Sequence, residues 1–478
     1  MATRTIGAAG NAAAIASRHP VVGLAVGVIR DGQLRLFHGH GLADIAARKP
    51  VTQDTAFRIG SVTKTFTAVA VLQLTERGLL DLDAPAASYL RAYRLIPARP
   101  GNPPPTVRQL LTHTAGLPQL AYPSRALQPV LGETVPYGHR VPTLAEFYRG
   151  GLRLVAEPGT RLTYSNHGFA ALGQIIEDVT GQPLGAYFRE HIFGPLGMAD
   201  TDLARSDRIA ARLATGYALR SGGPRPVRDL DLVTPGAGSV YSTTRDMARY
   251  AVALLADGAG EHGRILAPGT LAEMFAPSYQ PDPRLPGVGL GCFRREVGGH
   301  LVVGHDGLVP GFSSQLSLAP HDGVAVVAFT NGARGATGWL GPEVAAIVGR
   351  MLGVPEPAVR DDLPQHPETW TDLCGWYSFR GSFRDVQRWL AAGAQVLVWR
   401  GQLTLRPLAP VPALLRGLSL HPDDPADPQV FRIDLSGLGM GTSRVVFTRS
   451  PHGGVTAFHV DLDVTPLSFD KRRPLNLP

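Results

Sequence analysis

The chain of 478 residues changes its sequence pattern near residue 355, and this change limits the folds it can adopt more than any other feature. From Pro20 to about Val354, strand-like and helix-like stretches alternate, with strands at both ends and helices between them. From about Trp370 onward, short alternating apolar segments are separated by turn residues. The sequence therefore predicts two parts of different fold class, one α+β and one all-β.

A proline-containing stretch separates the two patterns and gives the predicted boundaries. We expect an α+β domain over residues 1–355, a linker over 356–368 and an all-β domain over 369–478, since a chain of this length exceeds one ordinary core. Strands at both ends of the first domain favour an antiparallel sheet flanked by helices. The spacing of the short strands in the second domain favours a small barrel or sandwich.

Local signals predict individual elements of the first domain. Asp31-Gly32 indicates a hairpin turn between two apolar strands, and the proline-rich stretches 94–105 and 118–142 are typical of long loops that wall a binding site. The apolar periodicity and the glycine stops predict three helices and two late strands. The helices cover residues 61–77, 144–153 and 168–180, and the strands cover residues 301–303 and 324–329.

Charge and composition exclude several classes of partner. The formal charge of +7 comes mostly from scattered arginines and forms no basic block, so we expect no nucleic-acid partner. No stretch approaches the roughly 18 apolar residues of a membrane helix. The first 20 residues lack the apolar core of a signal peptide. We therefore expect no membrane partner and a cytoplasmic location, with export left open if a leader was removed before the numbering begins.

Cysteine and histidine spacing predicts no bound metal. Cys292 and Cys374 lie far apart, which favours two separate buried thiols over one disulfide. No H-E-x-x-H motif and no clustered Cys/His spacing occurs. We expect no metal and no cofactor.

Lys64 is one of only three lysines, and it follows Ser61 by three residues at the predicted start of a helix. Arginine cannot act as a base, whereas a buried lysine can lose its proton near neutral pH. Residues three apart share one helix face, and the helix N-terminus can hold an oxyanion and disfavours a nearby cation. The pattern indicates that a neutral Lys64 could take the proton of Ser61, and which group deprotonates the serine stays open, since the titrations are coupled. By spacing alone, a capping serine and a solvated lysine fit equally well.

Two later motifs add polar groups. Near two cations, the phenol of Tyr164 can ionise well below its usual pKa of about 10 and serve as general base or acid. Asn166 can orient Lys64 or a substrate carbonyl. The run from Val303 to Leu308 is expected to end a strand, and its glycines beside a polar pair permit close backbone approach to a ligand. Each motif taken alone also fits a packed tyrosine, a capping asparagine or a surface turn.

In this order, the three motifs resemble the serine β-lactamase and penicillin-binding-protein superfamily, whose class A form carries S-x-x-K, S-D-N and K-T-G. Tyr164-Ser165-Asn166 is similar to the Y-x-N of the class C branch and its esterase and D-aminopeptidase relatives. The flanking residues 57–60, 110–118 and 235–250 agree. The resemblance spans about residues 15–350 and implies that fold, with a helical subdomain. The C-terminal part resembles, by architecture alone, the lipocalin-like barrel found behind some members.

The resemblance also implies roles for individual residues. Ser61 would be the acylated nucleophile, Lys64 its proton partner, Tyr164 the general base or acid, and Asn166 a positioning group. The backbone N–H groups of Ser61 and Leu308 would form the oxyanion hole. Gly307 would belong with Leu308 to the substrate-positioning set. His113 is interpreted as structural.

The third motif departs from the family, because His305-Asp306-Gly307 stands where K-T-G is expected. A neutral histidine beside an aspartate would bind a substrate carboxylate poorly. This favours hydrolysis of a small ester, amide or short peptide through an acyl-enzyme, with His305 assisting the Tyr164 proton network or holding substrate. β-Lactamase or D,D-peptidase activity stays open, as does a non-catalytic ligand sensor. A homo-oligomer also stays open.

Overall fold

The computed structural model describes residues 2–355, 357–386, 388, 392–409, 411–462 and 466–472. The helices are α1 (Ala2–Arg18), α2 (Thr63–Glu76), α3 (Val107–Leu111), α4 (Leu144–Phe147), α5 (Asn166–Thr180), α6 (Leu184–Phe188), α7 (Asp207–Arg212), α8 (Pro235–Gly238), α9 (Thr244–Leu255), α10 (Pro268–Phe275), α11 (Ala336–Leu352) and α12 (Pro367–Leu373). The strands are β1 (Gly23–Arg30), β2 (Gln33–Asp44), β3 (Lys49–Pro50), β4 (Ala56–Arg58), β5 (Arg94–Ile96), β6 (Thr134–Pro136), β7 (Gly151–Arg153), β8 (Tyr217–Arg220), β9 (Gly223–Pro226), β10 (Leu230–Leu232), β11 (Tyr241–Thr243), β12 (Phe293–Val297), β13 (His300–Val309), β14 (Phe312–Ala319), β15 (Val324–Thr330), β16 (Gly375–Phe379), β17 (Gly393–Trp399), β18 (Gln402–Pro407), β19 (Leu418–Ser419), β20 (His421–Pro422), β21 (Val430–Asp434), β22 (Thr442–Arg449), β23 (Val455–Asp461) and β24 (Leu467–Lys471).

Seven strands form one antiparallel sheet in the order β12-β13-β14-β15-β1-β2-β3. The predicted hairpin is β1–β2, in which Val26 pairs with His38. On its other side, Val26 pairs with Ala328 of β15. The early hairpin therefore lies directly against the late strands, and the antiparallel sheet predicted from strands at both ends of this part is confirmed.

Helices cover both faces of this sheet, which explains the unbroken apolar run of β15. Val326 and Ala328 face the core that α1 and α11 complete, whereas Val327 and Phe329 face the core that α2 and α9 complete. A strand buried on both faces needs no polar alternation. The sheet is thus the middle of three layers, and α2 lies on the face that carries the site.

Three local predictions are wrong. The helix expected over 144–153 ends at Phe147, because Arg149 (φ 52°) and Gly150 (φ 82°) adopt left-handed conformations that stop it. The chain continues as β7, which pairs in parallel with β5 inside the stretch 94–105 that was expected to be loop alone. The third motif was expected at the end of a strand, but residues 303–308 lie within β13.

The C-terminal part forms a nine-stranded antiparallel sheet in the order β19-β18-β17-β16-β24-β23-β22-β21-β20. Its two edge strands, β19 and β20, are separated in sequence by Leu420 alone, so the sheet curls into a nearly closed barrel. Aromatic side chains such as Tyr377, Phe447 and Phe458 fill its interior. The predicted all-β, barrel-like region is confirmed.

The domain boundaries at 355 and 368 stay predictions. Glu356, at the start of the predicted linker, lies outside the described residues. Cys292 is buried and Cys374 is partly buried, and both are free thiols. In the described part of the chain, no helix combines the length and apolar character that crossing a membrane requires.

Candidate active site

The first motif folds into a helix start, as predicted: a short 3-10 turn at Gly60–Val62 leads directly into α2. Lys64 is completely buried in this helix. Its Nζ donates to the Ser61 Oγ at 2.9 Å, the Asn166 Oδ1 at 2.9 Å and the Ala237 carbonyl oxygen at 2.8 Å. These acceptors match the three donors of an ammonium group, so the lysine is fixed beside the serine.

Burial sets the charge of Lys64. Loss of hydration lowers its pKa to about 7, while the carboxylates of Glu133 and Asp306 oppose the shift. Near neutral pH, Lys64 therefore exists both as ammonium and as free amine. The free amine can accept a proton from the Ser61 hydroxyl that it contacts.

Tyr164 approaches the serine along a second direction. Its hydroxyl donates to the Ser61 Oγ at 2.8 Å, and its ring centroid lies 4.4 Å from that of His113. Burial raises the pKa of Tyr164 well above its usual value, and the Asp306 carboxylate adds to the effect. The predicted low pKa is therefore wrong for the resting protein, because desolvation, which the motif does not reveal, keeps the phenol protonated.

Asn166 connects Lys64 to a buried carboxylate. Its Oδ1 accepts from Lys64, and its Nδ2 donates to the Glu133 Oε2 at 3.0 Å. The Thr234 hydroxyl donates to the same oxygen at 3.3 Å. Burial raises the pKa of Glu133 to about 7, although the Asn166 hydrogen bond opposes this. Asn166 thus has the geometry that its predicted orienting role requires.

His305 lies beside Tyr164 without bonding to it. The Nδ1 of His305 donates to the Asp306 carbonyl oxygen at 2.6 Å, and its ring centroid lies 6.1 Å from that of Tyr164. Its Nε2 is buried and has no hydrogen-bond partner among the residues the structure describes. Burial lowers the pKa of His305 to about 3, so the ring is neutral. These contacts include no hydrogen bond between His305 and Tyr164, and the role of His305 in the Tyr164 proton network or in holding substrate stays a prediction.

Gly307 and Leu308 bring β13 against the Ser61 turn. A Cβ at Gly307 would lie 2.0 Å from the Ile59 carbonyl oxygen, so only glycine fits. Gly60 has φ 51°, and a Cβ there would lie 2.8 Å from the Leu308 nitrogen. The backbone nitrogens of Ser61 and Leu308 therefore belong to adjoining segments, as the predicted oxyanion hole requires.

A family profile described as "Beta-lactamase" matches residues 8–347. That is well over half of the chain. The chain belongs to the beta-lactamase family. The predicted resemblance is confirmed, and with it the assignment to serine hydrolases.

Relatives of this beta-lactamase family member include enzymes of different names. Penicillin-binding protein 4 from Amycolatopsis lactamdurans is 29% identical over 391 residues, which cover 77% of this chain and 96% of that protein. Esterase EstB from Burkholderia gladioli is 36% identical over 214 residues, covering 44% and 53%. The solved structure of D-amino acid amidase from Ochrobactrum anthropi SV3, complexed with L-phenylalanine amide, is 26% identical, with a TM-score of 0.57 and coverage of 73% and 98%.

In this beta-lactamase family member, residues 381–386, between β16 and β17, contact residues that precede the second motif. Three polar contacts hold that segment on the main domain. The Leu120 N–H donates to the Arg384 carbonyl oxygen (3.1 Å), the Val386 N–H to the Gln119 Oε1 (2.8 Å), and the Arg161 Nη2 to the Asp385 Oδ2 (3.2 Å).

The stretch 118–120, which contacts residues 381–386, also supports the second motif. The Ser165 hydroxyl, between Tyr164 and Asn166, donates to the Pro118 carbonyl oxygen at 2.6 Å. The Ser165 N–H donates to the Nδ1 of His113 at 3.2 Å, which agrees with a structural role for that histidine. Two hydrogen bonds therefore connect the 381–386 segment to the second motif through residues 118–120.

Sequence reasoning missed two groups that contact the motifs, Glu133 and the Ala237 carbonyl. Glu133 is the one acidic residue between positions 118 and 142, in a loop expected to wall the site, and this isolation was the available signal. A backbone carbonyl leaves no signal in the sequence. Within the described ranges, no group of three or more His, Cys, Asp or Glu side chains could hold a metal ion.

Proposed function

We propose that this beta-lactamase family member hydrolyses a small ester or amide through an acyl-enzyme on Ser61. The observation that carries the proposal is the position of the Ser61 Oγ, 2.9 Å from the Lys64 Nζ and 2.8 Å from the Tyr164 hydroxyl. A base is most effective when its pKa lies near the working pH. The free amine of Lys64, with a pKa of about 7, meets that condition.

The proton path follows from which groups are protonated at rest. As the Ser61 Oγ attacks the carbonyl carbon, Lys64 takes its proton, and the N–H groups of Ser61 and Leu308 stabilise the oxyanion. Tyr164 then donates its proton to the leaving oxygen or nitrogen and regains one from the Lys64 ammonium. In deacylation, water attacks the acyl carbonyl carbon and gives a proton to Tyr164, which passes its own proton to Lys64. Lys64 then protonates the Ser61 Oγ as its bond to the acyl group breaks.

One feature suits an apolar group on the substrate, and a second argues against a β-lactam. A cavity of about 620 Å³ adjoins Leu308 and is lined largely by apolar side chains, including Leu131 and Phe312, which suits an apolar group on the substrate. The family's third-motif lysine is replaced by His305, which is buried and neutral. At position 305, the third motif therefore has no positive charge that could bind a substrate carboxylate.

A fluorophosphonate probe tests the nucleophile. It should label the wild-type chain and Ser278→Ala, whose serine lies elsewhere, but not Ser61→Ala. Labelling of Ser61→Ala equal to wild type would contradict the proposal. An unlabelled wild-type chain that still binds ligands would favour a sensor.

A substrate panel separates the hydrolase classes. Initial rates should be measured with a p-nitrophenyl ester, a D-amino-acid p-nitroanilide and a chromogenic cephalosporin. We expect turnover of the ester or the anilide to exceed that of the cephalosporin. The opposite order would favour β-lactamase activity.

A further inference from the structure

Glu133 is a buried carboxylate that the proposed reaction does not use. It is 1% exposed, and Val130 (φ 46°) and Leu131 (φ 56°) hold left-handed conformations just before it. For residues with a side chain, and above all for a β-branched residue such as Val130, such conformations are strained. Local strain of this kind clusters at functional sites. The backbone is therefore strained at residues 130–131, directly before the Glu133 carboxyl group that accepts a hydrogen bond from Asn166.

The surroundings of Glu133 fit both of its protonation states. Its Oε2 accepts from Asn166 and Thr234 in either state. Its Oε1 lies 3.4 Å from the Nε2 of His167, whose Nδ1 lies 2.8 Å from the Tyr148 hydroxyl. Neither Oε1 nor Nε2 has a hydrogen-bond partner in the described part of the chain, and each is the other's nearby polar atom. An ionised Glu133 can accept from an Nε2–H tautomer, and a protonated Glu133 can donate to an unprotonated Nε2.

We propose that Glu133 and Lys64 share one proton, and that Glu133 is the positioning residue that sets when Lys64 becomes a free base. This inference rests on the proposed role of Lys64 as the base for Ser61. In one arrangement Lys64 is an ammonium and Glu133 a carboxylate. In the other, Lys64 has lost one proton and Glu133 has gained one. The Asn166 amide lies between them, so the proton moves by exchange with the surroundings and not through the amide.

The net charge of the pair is zero in both arrangements, so a free base forms without leaving a net charge buried. Burial favours the uncharged arrangement, while attraction between the ions favours the other. Burial lowers the pKa of Lys64 and raises that of Glu133, which brings the two groups toward a common pH range, while the attraction between their charges opposes both shifts.

Other titratable groups face the pair, and most stay neutral. Burial lowers the pKa values of the histidines and raises those of the tyrosines, moving both away from neutrality. The Asp306 carboxylate alone among these groups adds a charge, and it favours the ammonium form of Lys64. The neutral groups are His113, His167, His305, Tyr148 and Tyr164.

The scarcity of lysine makes a direct test practical. Full-length protein labelled with ¹³C at lysine Cε gives three side-chain signals, and Lys49→Arg and Lys471→Arg assign two of them. The Lys64 signal is then titrated by NMR in the wild type and in Glu133→Gln. The glutamine amide can accept from Asn166 and donate to His167, so it mimics the uncharged arrangement.

In Glu133→Gln, the Lys64 midpoint should fall by roughly one pH unit or more, the effect of removing one nearby opposite charge. The acid limb of kcat/KM should move in the same direction. Asp246→Asn is the matched control, because it removes another buried carboxylate, and its Lys64 midpoint should equal the wild type. An unchanged or higher midpoint in a folded Glu133→Gln chain would overturn the proposal.

A second measurement needs no variant. With ¹³C also at the glutamate Cδ, Lys64 and Glu133 of the wild type should titrate over the same pH range, as coupled groups do. A one-proton curve for Lys64 with Glu133 ionised throughout would overturn the inference. Failure of the proposed function would appear separately, as loss of Ser61 labelling while the Lys64 midpoint still shifts.

Discussion

Replacing Gly307 with alanine would separate β13 from the turn that carries Ser61, the proposed nucleophile. The added Cβ would lie 2.0 Å from the Ile59 carbonyl oxygen and 2.3 Å from the Ser314 Oγ. Even close carbon–oxygen contacts are about 3.3 Å. The Ser314 hydroxyl can rotate away, but the carbonyl is main chain. The strand and the turn must therefore move apart by roughly 1.3 Å at this point.

This displacement moves the Leu308 N–H away from the position proposed for the oxyanion of the substrate. Loss of one oxyanion donor lowers kcat by about 10²–10³-fold, or roughly 2.7–4 kcal/mol. Overpacking also costs about 1–3 kcal/mol of folding free energy. Since domains are typically stable by about 5–15 kcal/mol, Gly307→Ala should fold and lose activity.

The assay measures kcat and KM for a p-nitrophenyl ester, together with circular dichroism and thermal unfolding. Gly269→Ala is the matched control, because a Cβ there would meet no atom within 4 Å. We expect Gly269→Ala to have the kcat and KM of the wild type. In Gly307→Ala, the fold-decrease in kcat should exceed any fold-increase in KM. Wild-type kcat in a folded Gly307→Ala chain would refute the oxyanion role of Leu308.

Three further outcomes follow from the site and from the contact between Arg161 and Asp385. kcat/KM should rise with pH through about 7, the pKa of Lys64, because only the free amine accepts the serine proton; a profile flat through this range would contradict that role. Tyr164→Phe should lower kcat by about 10²–10⁴-fold with little change in the unfolding temperature, and an unchanged kcat would remove the phenol from the proton path. Asp385→Ala should lower the free energy of unfolding by about 3–5 kcal/mol, because it leaves the largely buried Arg161 unpaired; an unchanged denaturation midpoint would show that this contact does not stabilise the chain.

Features that depend on neighbouring residues could be predicted from the sequence. Asp31 and Gly32 both adopt positive φ, as a two-residue hairpin turn requires, and the hairpin is present. Ser61 and Lys64 share a helix face because they are three residues apart. The helix expected over 144–153 failed because β7 is stabilised by pairing with β5, more than fifty residues earlier in the chain.

Features that depend on tertiary surroundings could not be predicted. The phenol of Tyr164 stays protonated because it is desolvated, and burial by distant segments leaves no mark on the motif. Glu133 meets Asn166 only because a loop without periodicity folds back onto α5. In both cases the residue type was visible, but its surroundings were not.

Because Lys64 is buried, its chemical modification can report local unfolding of the core around α2. Lys49 and Lys471 lie in partly exposed strands, whereas Lys64 has no exposed surface. An amine-specific acylating reagent should therefore modify the first two lysines in the native protein and reach Lys64 only when α2 leaves the core. The rate of that third modification, followed by peptide mass spectrometry, measures how often the core around Lys64 opens.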